Sequence, residues 1–217
     1  MKSDFQVQSD VENELAWQPY INSAHIGVTA ADGVVTLSGQ VDYYTEKEDA
    51  ERAAKRVYGV KAVVNDIEVE LADSSRRTDT DIAAAAVSAL KWNILVPINK
   101  VTVTVRDGWV TLEGKVDWQY QSNAAQRCAQ RLMGVKGVTN SIIINSKPTP
   151  KGIKVKIEDA FKRNADLNAR RIAVTTENGK VTLSGSVSSW SERDEAESAA
   201  WAAPGVTSVD DQLTVMP

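Results

Sequence analysis

The sequence predicts an α+β protein of three tandem αββαβ units, each a small mixed three-stranded sheet covered by two helices. Two observations predict this fold class. The string DGVVTLSG at 32–39 returns as DGWVTLEG at 107–114 and as NGKVTLSG at 178–185. The first glycine of each string lies 26 residues before a Gly-Val pair, which begins at 59, 134 and 205. Fixed internal spacing in three copies indicates repeated units, and we predict domains over residues 4–72, 79–146 and 150–217.

Each unit is predicted to begin with a helix. Apolar residues recur at every fourth position there, which is typical of a helix that packs one face on a sheet. In chain order they are Val7, Val11 and Leu15; Ile82, Ala86 and Leu90; Ile153, Ile157 and Phe161. Thr80-Asp81 indicates where the second unit's helix starts. Pro19 and Pro97 fall in the connection after the helix, because proline is not tolerated in a helix interior.

The repeated string predicts a β-hairpin. An Asp-Gly or Asn-Gly pair tolerates positive φ at both centres of a type I′ turn, and alternating apolar residues on either side predict the strands. The turn glycines are Gly33, Gly108 and Gly179. A second glycine ends each string, where it indicates a bend or a close approach of the first helix; these residues are Gly39, Gly114 and Gly185.

A second helix with a face of small residues, mostly alanine, is predicted to follow, and a third strand closes the unit. The glycines Gly59, Gly134 and Gly205 are placed at C′, where a left-handed residue ends a helix. A right-handed crossover from the second strand to the third makes these two strands parallel. Short connectors around Ser74 and Pro148 predict that the three units pack against one another.

Composition excludes several classes of protein. One cysteine and one histidine rule out a disulfide framework and a Cys/His zinc site. A net charge of −4 predicts no nucleic-acid partner. No apolar run is long enough for a transmembrane segment. The amino terminus lacks the pattern of a signal peptide, so we expect a cytoplasmic location, or a periplasmic one if an export signal was removed.

The αββαβ plan, with its Gly-x-Val-x-Leu-x-Gly strand and Gly-Val-x-x-Val exit from the second helix, resembles the BON domain of bacterial osmotically inducible and nodulation proteins. In the first unit the motif residues are Gly33, Val35, Leu37, Gly39, Gly59, Val60 and Val63. The resemblance implies a non-enzymatic binding or scaffold protein of bacterial stress or envelope physiology, without a cofactor. It also implies association with a phospholipid membrane surface. The alternative is a cytoplasmic protein–protein adaptor or a chaperone-like holdase.

The middle unit holds the candidate binding residues. Residues 73–147 carry 10 basic and 6 acidic side chains, whereas the other two units are net acidic. The candidates are Arg106, Trp109, Lys115, Trp118 and Tyr120, with Trp109 and Lys115 on the outward side of the second strand. Tryptophan beside cations suits an anionic phospholipid surface or an envelope protein. An inter-domain contact is the alternative, because tryptophan is also enriched in interfaces.

No group of residues predicts a catalytic or metal site. His25 aligns with Lys100 and Arg171 at the head of the first strand, which favours a solvated strand end over catalysis. Cys128 lies on the inner helix face and is interpreted as core filler. The acidic residues from Glu46 to Glu51 alternate with cations as on a solvated helix face. Trp17 and Trp92 end the first helices and are predicted to cover core edges or domain interfaces.

Overall fold

A computed structural model describes residues 2–97, 99–145, 152–164 and 167–216. Within them the chain forms three units of one design, which confirms the predicted α+β class and the αββαβ order. Unit 1 contains α1 (Asp4–Trp17), β1 (Ile26–Ala31), β2 (Val34–Val41), α2 (Tyr44–Arg56) and β3 (Ala62–Val69). Unit 2 contains α3 (Asp79–Trp92), β4 (Val101–Arg106), β5 (Trp109–Val116), α4 (Gln119–Gln130) and β6 (Gly137–Ile144). Unit 3 contains α5 (Ile153–Arg163), β7 (Ile172–Glu177), β8 (Lys180–Val187), α6 (Trp190–Trp201) and β9 (Ser208–Val215).

Each sheet is mixed, as predicted. The second strand is central, antiparallel to the first strand and parallel to the third. Both helices of a unit pack on the sheet face that carries the alternating valines and leucines, for example Val35 and Leu37. The predicted stripes of the first helices are buried in all three units. Each unit therefore has its own small hydrophobic core.

The hairpin turns have the predicted geometry, and the first helix supports two of them. Asp107 and Gly108 have φ of 52° and 81°, as a type I′ turn requires. The Asp79 carboxylate, in the first residue of α3, accepts hydrogen bonds from the Asp107 and Gly108 backbone N–H groups at 2.8 and 2.9 Å. In unit 1, Asp4 accepts one such bond, from Gly33 at 3.2 Å.

The glycines that end the repeated strings have positive φ within continuous strands, and the predicted approach of the first helix is wrong. Gly114 has φ of 142°, and a Cβ built there would lie 2.0 Å from the carbonyl oxygen of Lys100, the residue before β4. Gly39 and Gly185 have the same contact with His25 and Arg171. Glycine is required because the backbone of the residue before the first strand occupies the side-chain position.

Two predictions of helix ends are corrected. Gly59 lies in the turn after α2 and not at C′, because Val57 is the C-cap and the Val60 N–H donates to the Val57 carbonyl. Gly134 and Gly205 lie in equivalent turns. The helix of unit 2 starts before Thr80: Thr78 is its N-cap, and a reciprocal capping box joins Thr78 to Asp81.

The first connector is ordered by unit 1. It contains a short 3₁₀ turn, Asp73–Ser75, and the buried Ser75 hydroxyl lies 3.2 Å from the Tyr43 hydroxyl. The second predicted connector, around Pro148, lies outside the described residues, as do the predicted domain limits at 146, 150 and 217.

The three units pack against one another through their second helices, which confirms the prediction that they are in contact. Tyr44, the first residue of α2, packs on the core of unit 2 and lies in hydrogen-bonding range of Gln130, the last residue of α4. Gln119, the first residue of α4, lines a cleft together with Trp201, the last residue of α6. Trp190, the first residue of α6, lies under the Lys55 ammonium near the end of α2, at 5.1 Å.

The start of α2 therefore contacts the end of α4, and the start of α6 contacts the end of α2, whereas the start of α4 faces the end of α6 across a cleft. We call this arrangement of α2, α4 and α6 the helix triangle. In each of these pairs the start of one helix lies near the end of another, so the three helices follow one another head to tail in a closed ring. The positive end of each helix dipole also faces the negative end of the next, which is favourable.

Candidate functional site

Two of the candidate residues lie on the sheet side of the interface between units 1 and 2. Arg106 and Trp109 are paired across the β4–β5 hairpin. They line a cleft of about 790 Å³ together with Ile67 and Glu68 of β3. Trp109 is 51% exposed, and its Nε1 donates to the Thr139 hydroxyl at 2.8 Å. The indole is thus held against its own sheet and opens toward unit 1.

Trp118 and Tyr120 lie instead at the interface between units 2 and 3. Their rings stack with centroids 6.5 Å apart and planes inclined by 27°. They line a second cleft, of about 740 Å³, opposite Glu197 and Trp201 of α6. This pair and the Arg106–Trp109 pair therefore face different neighbours.

Lys115 is exposed on the outward face of β5, as predicted, but it lines neither cleft. It is six residues along the strand from Trp109, which corresponds to about 20 Å at the usual rise of a strand. The structure therefore divides the five candidates between two interfaces and one open strand end, instead of gathering them on one surface.

The most exposed apolar group of the middle unit lies elsewhere, in the loop from α3 to β4. We call residues 91–95 the α3–β4 tip. Trp92 is 88% exposed and Ile94 is 96% exposed, with Leu95 partly exposed beside them. Lys91 is exposed next to Trp92. The prediction that Trp92 covers a core edge or a domain interface is wrong.

The tip is a rigid turn. The Val96 N–H donates to the Asn93 carbonyl at 3.0 Å, which places Ile94 and Leu95 at the apex. The Asn93 side chain accepts from the Leu95 N–H at 2.9 Å and donates to the Cys128 sulfur at 3.0 Å. Val96 is buried below the apex. The exposure of Trp92 and Ile94 is thus built into the loop by several hydrogen bonds.

Unit 1 has an equivalent exposed loop after its first helix. Trp17 ends α1 and is 81% exposed, so the prediction that it covers an interface is also wrong. The Ile21 N–H donates to the Gln18 carbonyl at 3.1 Å, in a turn equivalent to that of the tip, with Pro19 and the exposed Tyr20 at its apex. A sequence signal existed in both loops, namely tryptophan followed within three residues by another large apolar or aromatic residue.

Glu46 is buried, which corrects its assignment to a solvated helix face. Its carboxylate accepts the Asn22 N–H at 3.3 Å and so holds the loop before β1. Glu192 has the same position in unit 3 and accepts from the N–H groups of Asn168 and Ser188 at 2.8 and 2.7 Å. Burial acts to raise the pKa of Glu192, but these bonds and the Ser188 hydroxyl outweigh it, so the pKa lies below its ordinary value.

Other titratable side chains lie at an interface between units, at the surface or beside the core. Burial, and then the neighbouring Glu48 carboxylate, raise the pKa of Tyr44 far above its ordinary value at the interface between units 1 and 2. His25 is exposed at the head of β1, as predicted. Cys128 is half-buried and serves as an acceptor for Asn93. Among the residues that the structure describes, no group of three or more His, Cys, Asp and Glu side chains is placed to hold a metal ion.

The family model that matches this chain is the BON domain, and it matches three times, over residues 3–70, 78–146 and 151–217. The chain belongs to the BON domain family. A relative, Osmotically-inducible protein Y of Escherichia coli (strain K12), is 34% identical over 143 residues, which cover 64% of this chain and 71% of the relative. The resemblance seen in the repeated motifs is thereby confirmed.

Similarity to solved structures is weak. CdsD, a structural protein of the type III secretion system of Chlamydia trachomatis, matches with 14% identity and a TM-score of 0.28, covering 98% of this chain and 93% of CdsD. The CdsD C-terminal domain matches with 13% identity and a TM-score of 0.28, covering 100% of both chains. No helix in the described part of the BON-domain chain is long and apolar enough to cross a membrane.

Proposed function

We propose that this BON-domain protein is a non-enzymatic binding scaffold of bacterial stress physiology that associates with an anionic phospholipid surface. Its membership of the BON family and its similarity to a protein named as osmotically inducible support the physiological setting. The binding surface that we assign is the α3–β4 tip. A competing surface is the outward face of β5, which carries Trp109 and Lys115, two of the five residues singled out from sequence.

The observation that carries this proposal is the exposure of Trp92, at the end of α3, together with Ile94 at the turn apex. A soluble surface rarely presents a large aromatic and a large aliphatic side chain together and almost fully exposed. Tryptophan is favoured at the boundary between lipid and water, and Lys91 adds a positive charge that anionic headgroups attract. Because Asn93 fixes the turn, little conformational entropy is lost when the tip inserts.

The tip has a counterpart in unit 1. Trp17 and Trp92 hold equivalent places at the ends of α1 and α3, and both are largely exposed. This repetition supports attachment at two points. Unit 3 has Arg163 at the equivalent place, and this cation matches an anionic surface.

Co-sedimentation with phosphatidylglycerol vesicles at low salt tests the proposal. We expect binding, and we expect a Trp92→Ala/Ile94→Ser variant to partition at least about a hundredfold more weakly, since each of the two large apolar side chains contributes about 1.5 kcal/mol or more on burial and about 1.4 kcal/mol is a factor of ten. Phe5→Ala is the matched control, because Phe5 is equally exposed at the far end of α1. Its binding should equal that of the unaltered protein.

The same assay separates the two surfaces. If Trp109→Ala/Lys115→Glu abolishes vesicle binding while the tip variant binds normally, the lipid contact is the sheet face of unit 2 and not the tip. If neither variant changes binding, or if the unaltered protein ignores the vesicles, the membrane proposal fails.

The exposed tips also support the second candidate, a protein–protein adaptor or chaperone-like holdase, because apolar loops of this kind can hold unfolded chains. Suppression of the thermal aggregation of a model enzyme, measured without vesicles and lost in the tip variant, would favour it. Fractionation of cells that produce the tagged protein tests the compartment, for which the cytoplasm or the periplasm stays a prediction.

A further inference from the structure

The cleft between units 2 and 3 has walls of aromatic rings and carboxylates. On the side of unit 2 it is lined by the stacked pair Trp118 and Tyr120. On the side of unit 3 it is lined by Trp201, Glu197 and Asp194. The Trp201 Nε1 donates to the Glu197 carboxylate at 3.2 Å, which fixes the indole. No lysine or arginine is among the described residues that line this cleft.

The interface between units 3 and 1 holds the Trp190 ring under two cations, Lys55 and Arg193. There the Lys55 ammonium lies 5.1 Å from the Trp190 ring centroid and close enough to Asp194 for their charges to interact. Lys55 and Trp201 hold the same position in their respective helices, eleven residues after the helix start. The interface between units 2 and 3 therefore has an indole in the position of the ammonium group, and its other rings, Trp118 and Tyr120, lie on either side of Gln119, which holds the place of Trp190.

We propose that this cleft binds a small soluble molecule that carries a quaternary ammonium group. The faces of Trp and Tyr rings attract a cation, and aromatic walls are the usual means of recognising a methylated ammonium, which has no N–H to donate. Glu197 supplies the opposite charge, since Asp194 already faces Lys55. At about 740 Å³, the cleft falls in the range of small-molecule sites. This inference goes beyond the proposed membrane association and does not depend on it.

Titration of the full chain with choline, followed by tryptophan fluorescence and calorimetry, tests the site. We expect saturable binding. The neutral isostere 3,3-dimethyl-1-butanol has the same shape without the charge, so it should bind at least about fivefold more weakly if the cation is what is recognised. Equal binding of choline and its isostere would overturn the proposal, and so would the absence of choline binding.

Two variants place the site. Tyr120→Ala removes a half-exposed ring, and Glu197→Gln removes a charge while keeping an oxygen that can accept from Trp201. Each should weaken choline binding by about fivefold or more, with unchanged circular dichroism and melting temperature. Trp92→Ala, at the distant α3–β4 tip, should leave choline binding unchanged. If both cleft variants bind choline normally, the assignment to this cleft is wrong.

A vesicle experiment distinguishes a soluble ligand from a lipid headgroup. We expect phosphatidylcholine vesicles neither to sediment the protein nor to displace choline. Sedimentation with these vesicles that is lost in Tyr120→Ala, without binding of free choline, would overturn the soluble-ligand proposal. The tip variant Trp92→Ala/Ile94→Ser tests membrane association alone. If the protein does not bind membranes, the choline titration still tests the cleft independently.

Discussion

At the scale of single residues, a comparison of Glu192 with Gln121 separates the effect of a side chain's charge on the fold from the effect of its shape. Both occupy the third position of a second helix and accept hydrogen bonds from backbone N–H groups just before that helix, and Glu192 also accepts from Asn168 in the loop before β7. Gln121 accepts from Asp117 and Trp118 at 3.0 and 3.1 Å. A neutral side chain therefore fits this position in the same fold.

Glu192→Gln should keep the fold and reduce its dependence on pH. The folded-state pKa of Glu192 lies below its ordinary value of 4.5, so its stabilisation is fully present above about pH 4.5 and is lost as the pH falls through the folded-state pKa. Urea unfolding midpoints between pH 6 and pH 3 measure this. The variant should lose less stability than the unaltered protein over that range; identical slopes would contradict the assignment.

Gly114→Ala should be strongly destabilising. The new Cβ would meet the Lys100 carbonyl oxygen at 2.0 Å and hold a positive φ, which together cost roughly 3 kcal/mol. Gly152→Ala is the matched control, because Gly152 also has positive φ but no atom within 4 Å of the new Cβ. Guanidinium unfolding should show a loss of about 1 kcal/mol for the control. Equal losses would mean that the close carbonyl contact is unimportant.

At the scale of elements, the first helix fixes the hairpin. Asp79→Ala removes two hydrogen bonds to the β4–β5 turn, whereas Asp4→Ala removes one from the β1–β2 turn. Both residues lie in the first helical turn, so their interaction with the helix dipole is similar. We expect Asp79→Ala to cost about 1–2 kcal/mol and Asp4→Ala about half of that, measured by chemical denaturation. The reverse order would show that the turn contacts do not contribute.

The elements themselves could be predicted from the sequence because their signals are local. Asp-Gly and Asn-Gly pairs define the turns, period-four and period-two apolar patterns define helices and strands, and a right-handed crossover fixes the parallel pairing. Three copies of the motif with the same internal spacing are very unlikely to arise by chance. The repeated motif residues are core aliphatics and turn glycines, and they led directly to the family.

The candidate site was only partly predictable, because exposure depends on neighbours that are distant in sequence. Trp92 and Trp109 look alike as isolated tryptophans, yet Trp92 is exposed at the end of α3 and Trp109 lies on its sheet beside Thr139. Glu46 looked solvated because its neighbours in sequence are charged, although it is buried against the loop at Asn22. The close contact at Gly114 involves a carbonyl, which no side-chain pattern reveals.

At the scale of the whole molecule, the contact between units 3 and 1 closes the helix triangle. A double-mutant cycle with Lys55→Ala and Trp190→Ala measures its strength, and we expect a coupling free energy of about 0.5–1 kcal/mol in thermal or urea unfolding. Lys55 also forms an ion pair with Glu51 at 2.7 Å. The single Lys55 variant includes the loss of that pair, but the cycle cancels it. A coupling of zero would mean that the two units touch without stabilising each other.

The helix triangle also restricts insertions and deletions in the second helices. The three sides contain 13, 12 and 12 residues, and one extra residue in a single side would lengthen it by about 1.5 Å and turn its far end by about 100°. Such a change would separate the helix ends at one junction of the triangle, while the helix ends at the other two junctions stayed together. The repeat periods of 75 and 71 residues, counted between turn glycines, are consistent with this restriction. The four-residue difference between the two periods falls in the connectors between units, where added residues do not change the length of a second helix.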